Sequence, residues 1–167
     1  MVLHIDVTVE TPWKKVFPEA KKVLTAAAKA AFKAAKTDAF PAKNADVSIL
    51  LTTDEKIRAL NKEYRKIDKP TNVLSFAAMD GEDEETVVDD TLTLGDIVVA
   101  FETTSREAEE NNQPFADHFS HLIVHGVLHL MGFDHIDPVD AEEMEALEIA
   151  VLKGLNIENP YADKDLV

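Results

Sequence analysis

The segment HGVLHLMGFDH, residues 125–135, restricts the local fold more than any other part of the chain. His125 and His129 are four residues apart, so on a helix both imidazoles lie on one face, one turn apart. Gly132 follows and allows the helix to end and the chain to turn back toward His135. Three neutral imidazoles that converge in this way leave one position of a tetrahedral metal open for water. The segment therefore predicts a helix, a glycine turn and a catalytic site with one Zn²⁺ ion ligated by His125, His129 and His135.

Hydrophobic periodicity along the rest of the chain predicts an α+β fold. Strands are expected at residues 2–9, 46–51, 73–79 and 94–101. Helical patterns occupy residues 11–37, with Pro18 marking a helix start, and residues 52–65, 102–112, 115–131 and 140–153. Thr52 and Glu55 form a capping-box pattern at the start of the second of these. We expect a single domain over residues 1–167: a mixed sheet of about four strands, helices packed mainly on one side, and the metal-binding helix near the C-terminal third.

Composition excludes several kinds of protein and of metal site. The 167 residues include no cysteine, so a disulfide framework and a thiolate site are excluded, and any metal is held by histidine and carboxylate. The N-terminal segment alternates like a strand and lacks the features of a signal peptide. No apolar run is long enough to span a bilayer. We therefore expect a cytoplasmic protein with no membrane partner.

Charge is distributed unevenly along the chain, whose formal net charge is −15. Residues 1–70 contain 14 Lys and Arg against 9 Asp and Glu, whereas residues 71–167 contain 3 against 23. The basic part offers a possible surface for phosphate groups, although solvated helix faces are the preferred interpretation for its first group of lysines, between residues 14 and 36. Seven acidic residues between positions 80 and 90 show no apolar periodicity and are expected to form a solvated loop.

The histidine spacing is also that of the metzincin peptidases, H-E-x-x-H-x-x-G-x-x-H. Gly126 stands where those enzymes have the glutamate that acts as general base. A peptidase of this kind would need another base, and Glu102, Glu107 or a glutamate of the last helix would have to be brought in by the fold.

Two further histidines precede the segment on the same predicted helix. We interpret His118 as an exposed helix residue. His121 is expected either to pack in the interior or to contact a metal ligand or a substrate.

The histidine segment resembles the signature of the YbeY family, metal-dependent endoribonucleases of ribosomal RNA maturation. Two further blocks resemble that family in the same order along the chain: LNKEYRKIDKPTNVLSF at residues 60–76 and LGDIVVA at residues 94–100. Ala77 departs from the pattern, since the family usually has proline after Ser-Phe.

The resemblance implies that His125, His129 and His135 are zinc ligands and that Arg65 is functional. An arginine, always charged and planar, suits phosphate oxygens. The implied activity is zinc-dependent, single-strand-specific endoribonuclease action in small-subunit ribosomal RNA maturation and ribosome quality control. The implied partners are single-stranded or ribosomal RNA and the small ribosomal subunit with its assembly proteins. The RNA is expected in a groove between the metal-binding helix and the basic helix that ends at Arg65. Two alternatives remain: another metal-dependent hydrolase such as a peptidase, and a ribosome assembly factor with a structural zinc.

Overall fold

A five-stranded mixed sheet forms the centre of the computed structural model, which describes residues 2–36, 40–78, 87–133 and 137–161. The strands are β1 (Val2–Val9), β2 (Asn44–Thr52), β3 (Val73–Ala77), β4 (Val87–Val88) and β5 (Thr91–Ala100). Their order is β1-β2-β5-β3, with β4 paired to the beginning of β5. Strands β1, β2 and β5 are parallel, whereas β3 is antiparallel to β5. The predicted α+β fold with a mixed sheet is confirmed, with one strand more than expected.

Six helices accompany the sheet within the described residues. They are α1 (Trp13–Val16), α2 (Ala20–Ala35), α3 (Asp54–Arg65), α4 (Phe101–Glu110), α5 (Phe115–Leu130) and α6 (Pro138–Gly154). None of them is long and apolar enough to cross a membrane.

The helical pattern of residues 11–37 is interrupted between α1 and α2. Phe17 has φ −136° and ψ 69°, outside the helical region. Because Pro18 follows it, its ring disfavours the helical conformation at Phe17. The continuous pattern therefore resolves into one short turn of helix and one long helix that begins after the proline.

The N-cap of α3 is Thr53 rather than the predicted Thr52. Thr53 has an extended backbone, and its side chain accepts a hydrogen bond from the backbone N–H of Lys56 at 3.3 Å. Thr52 still belongs to β2 and is buried, and its hydroxyl donates to a carboxylate oxygen of Glu10. The pairing of β2 extends one residue further than its apolar run, and this shifts the cap by one position.

Strand β4 lies inside the predicted acidic loop and forms a hairpin with β5. Val88 pairs with Thr91, so Asp89 and Asp90 are the two residues of the turn. Both have positive φ, 51° and 62°, as a type I′ turn requires. The expectation of a loop is wrong for Val87–Val88, whereas residues 89–90 form an exposed turn and residues 80–86 lie outside the described residues.

Side chains alternate along the strands and build a core on each face of the sheet. The larger core holds α2, α5 and α6 against one face, where Ile97 and Val99 of β5 lie. The smaller core holds Ile57 of α3 against the other face, on Val98 and its neighbours. Helices thus lie mainly on one side, as predicted, with α3 on the opposite face.

Aromatic packing fixes the first half of α5. The buried Trp13 ring lies 4.9 Å from Phe119 and 5.6 Å from Phe115, measured between ring centroids. Its indole Nε1–H donates to the carbonyl of Thr52 at 2.8 Å, at the end of β2. The start of α5 is therefore tied to the sheet, and the second half projects along the sheet toward residue 130.

Candidate metal centre

One row of histidines forms the only incompletely buried stripe along the second half of α5. Between residues 118 and 130, every residue is buried except His121, His125 and His129. These three follow one another at intervals of four residues, so they share one face of the helix. The expected placement of His125 and His129, one turn apart on one face, is confirmed.

The helix ends as the sequence predicts, at a glycine turn. Gly132 has φ +102°, and its N–H donates to the carbonyl of His129 at 3.1 Å. The N–H of Phe133 donates to the carbonyl of Leu128 at 3.1 Å, which completes a Schellman motif with Gly132 at C′. His135 lies outside the described residues, so its role as third ligand stays a prediction. Among residues 2–36, 40–78, 87–133 and 137–161, no three His, Asp or Glu side chains could together hold a metal.

Glu148 of α6 is buried directly behind His125. It is 1% exposed, and its Oε2 lies 3.1 Å from Nδ1 of His125 while its Oε1 lies 2.5 Å from Nε2 of His121. Burial opposes ionisation of Glu148, but the hydrogen bonds from His121 and His125 outweigh burial and lower the pKa of its carboxyl to about 2. Glu148 is therefore a carboxylate at neutral pH and accepts both hydrogen bonds.

This carboxylate fixes the tautomer of His125. Since an ionised Glu148 can only accept, Nδ1 of His125 carries a proton and donates it, so in the neutral ring the lone pair is on Nε2. Histidines that bind metals commonly donate their other ring N–H to a carboxylate in this way. The arrangement fits a metal ligand at His125, because a neutral imidazole with its lone pair on Nε2 is the form that binds Zn²⁺.

His121 belongs to the same cluster together with Tyr161. The phenol of Tyr161 donates to Oε1 of Glu148 at 2.8 Å, and its ring meets His121 edge-on at 5.5 Å. Burial and the negative charge of Glu148 raise the pKa of Tyr161, so the phenol stays protonated and donates. Of the two expectations for His121, the structure supports contact through Glu148 with a predicted metal ligand.

His118 is buried, and the expectation of an exposed residue is wrong. It is 7% exposed, and its Nε2 lies 2.9 Å from Oε1 of Glu107, which also accepts from the side-chain amide of Asn72 at 2.9 Å. Burial raises the pKa of Glu107, but the hydrogen bonds from His118 and Asn72 lower it by more. This second His–Glu pair joins α5 to α4 and stands apart from the His125 cluster.

Packing explains why position 126 carries glycine. A Cβ atom at Gly126 would lie 3.0 Å from Cδ1 of Ile97 and 3.3 Å from its Cγ1 and Cγ2. The position therefore faces the sheet, and the helix sits too close to β5 for a larger side chain. A glutamate there would bring a carboxylate into the hydrophobic core, so packing disfavours the base of a metzincin at this position.

Glu102 and Glu107, which were nominated as substitute bases, have structural partners, and so does Glu148 among the glutamates of α6. Glu102 accepts the backbone N–H of Asp54 at 2.9 Å and so caps the start of α3. Glu107 is held by His118 and Asn72, and Glu148 stands behind the imidazole of His125. None of these three supplies a basic carboxylate on the exposed side of the histidine row.

Arg65 is exposed at the end of α3, on the other face of the sheet from α5. Its neighbour Tyr64 packs edge-on against Phe76 of β3, with 5.3 Å between ring centroids. Phe76 pairs with the residue that precedes Ile97, and Ile97 meets Gly126 on the opposite face. Helices α3 and α5 therefore lie near the same strand residues but on opposite faces of the sheet. The expectation of a groove directly between these two helices is wrong. An RNA strand that touched both would pass around the β3 edge.

The sequence reasoning missed Tyr161, and it named a glutamate of the last helix only as a possible base and not as the partner of His125. A signal was present for Glu148, since it falls in the buried row of α6 that also contains Met144, Val151 and Leu152. A carboxylate in an otherwise apolar helix row requires a partner. Tyr161 follows the helix and gave no comparable signal.

Comparisons with known proteins agree with the histidine segment. The family model described as "Endoribonuclease YbeY" matches residues 9–156. A protein of Paramagnetospirillum magneticum named "Endoribonuclease YbeY" is 42% identical over 167 residues, covering 98% of this chain and 100% of its own length. One of the same name from Azorhizobium caulinodans is 50% identical over 160 residues, covering 96% and 97%. The solution structure of a Thermotoga maritima protein shares the fold, with a TM-score of 0.52 at 24% identity over 91% of each chain.

Proposed function

The chain belongs to the YbeY endoribonuclease family, and from this premise we propose that it is a zinc-dependent enzyme that cuts single-stranded RNA. Membership makes it an RNA-cleaving hydrolase. We further propose that it acts in the cytoplasm on ribosomal RNA, in maturation of the small subunit and in ribosome quality control, with the small subunit and its assembly proteins as partners.

The hydrogen bond from His125 to Glu148 is the observation that carries the proposed metal centre. It fixes the tautomer that a ligand needs, and the buried carboxylate that accepts it is ionised. We propose that His125, His129 and His135 hold one zinc ion, with water in the fourth position. A zinc ion held by neutral ligands keeps its double positive charge and stabilises negative charge that develops on a phosphodiester.

The remaining parts of the reaction fall to Arg65 and to the RNA itself. We propose that the guanidinium of Arg65 binds phosphate oxygens and holds the strand in register with the histidines. Because Gly126 provides no base at the position of the peptidase glutamate, the 2′-hydroxyl of the RNA is the proposed nucleophile. Its oxygen bonds to phosphorus as the bond from phosphorus to the 5′-oxygen breaks, which gives a 2′,3′-cyclic phosphate and a 5′-hydroxyl; solvent water takes the 2′-hydroxyl proton and supplies one to the 5′-oxygen. Equal cleavage of a substrate with a single 2′-deoxy residue at the cut would contradict this step.

The role of the histidines is tested by comparing wild type with His129→Ala in parallel preparations. We expect bound zinc and cleavage of single-stranded RNA in the wild type, and loss of both in the variant. Cleavage by both preparations alike would point to a contaminating nuclease and overturn the proposal. An unfolded protein substrate serves as the second arm: cleavage of that protein by wild type alone would favour the peptidase.

The role of Arg65 is tested against a matched arginine on the same helix. Arg58 is also exposed on α3, but its Nε is held by Asp68 at 2.8 Å. One charge-assisted hydrogen bond to phosphate contributes about 1.5–3 kcal/mol, so Arg65→Ala should lower kcat/KM about 10- to 100-fold. Arg58→Ala should change it by less than about twofold. Equal losses of kcat/KM in both variants would show that Arg65 contributes only as one charge of a general basic surface.

A further inference from the structure

The two carboxylate oxygens of Glu148 accept hydrogen bonds from different residues. Oε2 accepts from the proposed metal ligand His125 at 3.1 Å. Oε1 accepts from His121 at 2.5 Å and from the phenol of Tyr161 at 2.8 Å. A glutamate has three rotatable side-chain bonds, and a single hydrogen bond would leave its carboxylate free to turn. The two donors on Oε1 fix the carboxylate plane, and with it the direction of Oε2.

The donors on Oε1 come from two separate parts of the chain. His121 lies one turn before His125 on α5 and shares its face. Tyr161 belongs to the segment after α6. The chain turns back there, and the N–H of Ile157 donates to the carbonyl of Leu152 at 2.9 Å. The backbone N–H of Tyr161 donates to the side-chain oxygen of Asn159 at 2.8 Å, which orients the residue toward α5.

We propose that Tyr161 and His121 are positioning residues of the metal centre, which orient His125 through Glu148. Neither residue has a place in the proposed reaction itself, and the inference rests on the proposed metal centre. The C-terminal segment is thereby part of the site: it closes over the buried carboxylate and holds the first ligand in the orientation that binding requires.

The test is the affinity of the protein for Zn²⁺, measured by competition with a chromophoric chelator. Tyr161→Phe removes one hydroxyl and keeps the ring that packs on His121. Replacing a partner bonded directly to a ligand commonly costs 10- to 100-fold in metal affinity. Tyr161 and His121 stand one bond further away, so we expect Tyr161→Phe and His121→Leu each to weaken zinc binding about 3- to 10-fold. His121→Gln, which keeps an N–H donor, should restore most of the loss.

His118→Gln is the matched control, because it alters a buried His–Glu pair on the same helix outside the cluster. It should leave the zinc Kd within about twofold of wild type while it changes the free energy of unfolding of the metal-free protein. Unchanged zinc affinity in Tyr161→Phe and His121→Leu would overturn the inference. An equal loss in His118→Gln would also overturn it, since general loosening would then explain the effect.

Failure of this inference is distinguishable from failure of the proposed function. If wild type binds zinc and cleaves RNA but Tyr161→Phe binds zinc equally well, only the positioning role is lost. If wild type binds no zinc, the proposed metal centre itself is wrong, whatever the variants show.

Discussion

Replacing Gly126 by alanine tests whether the closeness of α5 to the sheet excludes a larger residue at the position of the peptidase glutamate. The added Cβ atom would lie 3.0 Å from Cδ1 of Ile97, closer than nine in ten real Cβ contacts. Ile97 is fully buried in β5, so its side chain cannot move aside into solvent. Either Ile97 changes its conformation or α5 moves away from the sheet.

Two opposing contributions decide the size of the effect. Alanine is favoured over glycine inside a helix by about 1 kcal/mol. Overpacking a core costs about 1–3 kcal/mol. We therefore expect Gly126→Ala to lower the free energy of unfolding by about 0–2 kcal/mol. Ile97→Val removes the nearest atom and alone costs about 0.5–1.5 kcal/mol. In the double variant the new methyl group takes the vacated space, so the pair should be more stable than the sum of its parts by about 1–2 kcal/mol.

Urea unfolding of the four proteins in this cycle measures the coupling directly. Gly154→Ala provides a control, because a Cβ atom at the end of α6 would meet nothing within 4 Å. That variant should be neutral or stabilised by up to about 1 kcal/mol. If the two substitutions in the cycle add within about 0.5 kcal/mol, the packing explanation for Gly126 is refuted. If Gly126→Ala alone raised the free energy of unfolding by about 1 kcal/mol, the full advantage of alanine over glycine in a helix, the packing explanation would also be refuted.

Three further predictions follow from local geometry. Gly95→Ala should cost about 3 kcal/mol or more in urea unfolding, because φ is +138° and a Cβ atom would lie 2.1 Å from the carbonyl oxygen of Phe76; a neutral result would contradict the observed β3–β5 pairing. Gly132→Ala should cost about 1–2 kcal/mol from its positive φ alone, since nothing lies within 4 Å of the added atom, and a loss above that range would reveal a contact there. The difference in free energy of unfolding between Glu107→Gln and wild type should become smaller as pH falls below about 4.5. The pKa of Glu107 is lowered in the folded protein, so the stability contributed by its ionised form is complete above the unfolded pKa. That stability is lost as pH falls toward the folded pKa. Unfolding of both proteins between about pH 3 and pH 7 checks this, and a difference that stayed constant would remove Glu107 as its source.

Elements of the fold that depend on local pattern could be predicted from the sequence. Helix α5 and the glycine turn at Gly132 follow from spacing alone, because a four-residue interval and a positive-φ glycine each have one local consequence. The N-cap at Thr53 was missed by one residue because the length of β2 depends on its neighbours in the sheet. The hairpin of β4 was missed because its two turn residues are aspartates at the end of an acidic run, which in the sequence resembles a solvated loop. Their positive φ is visible only in the structure.

Parts of the candidate site that depend on tertiary contact could not be predicted in the same way. Glu148 lies 23 residues from His125 along the chain, and only the packing of α6 on α5 brings them together. The exposure of His118 was misjudged because its partner Glu107 belongs to another helix. The separation of Arg65 from α5 by the sheet depends on which face α3 covers, and hydrophobic periodicity does not specify that face.

The burial of α5 on all rows but one would make folding independent of metal binding at the proposed centre. Between residues 118 and 130, ten residues are buried and only the histidine row is left open. In small zinc domains ligation and folding are one event, so a chelator unfolds them. The hydrophobic contacts of α5 are made by its apolar residues in the core and not by the histidine row, so its amide protons should remain among the slowest to exchange with deuterium in the presence of a chelator. If the proposed zinc centre exists, the supply of zinc would set the active fraction of a constant pool of folded protein.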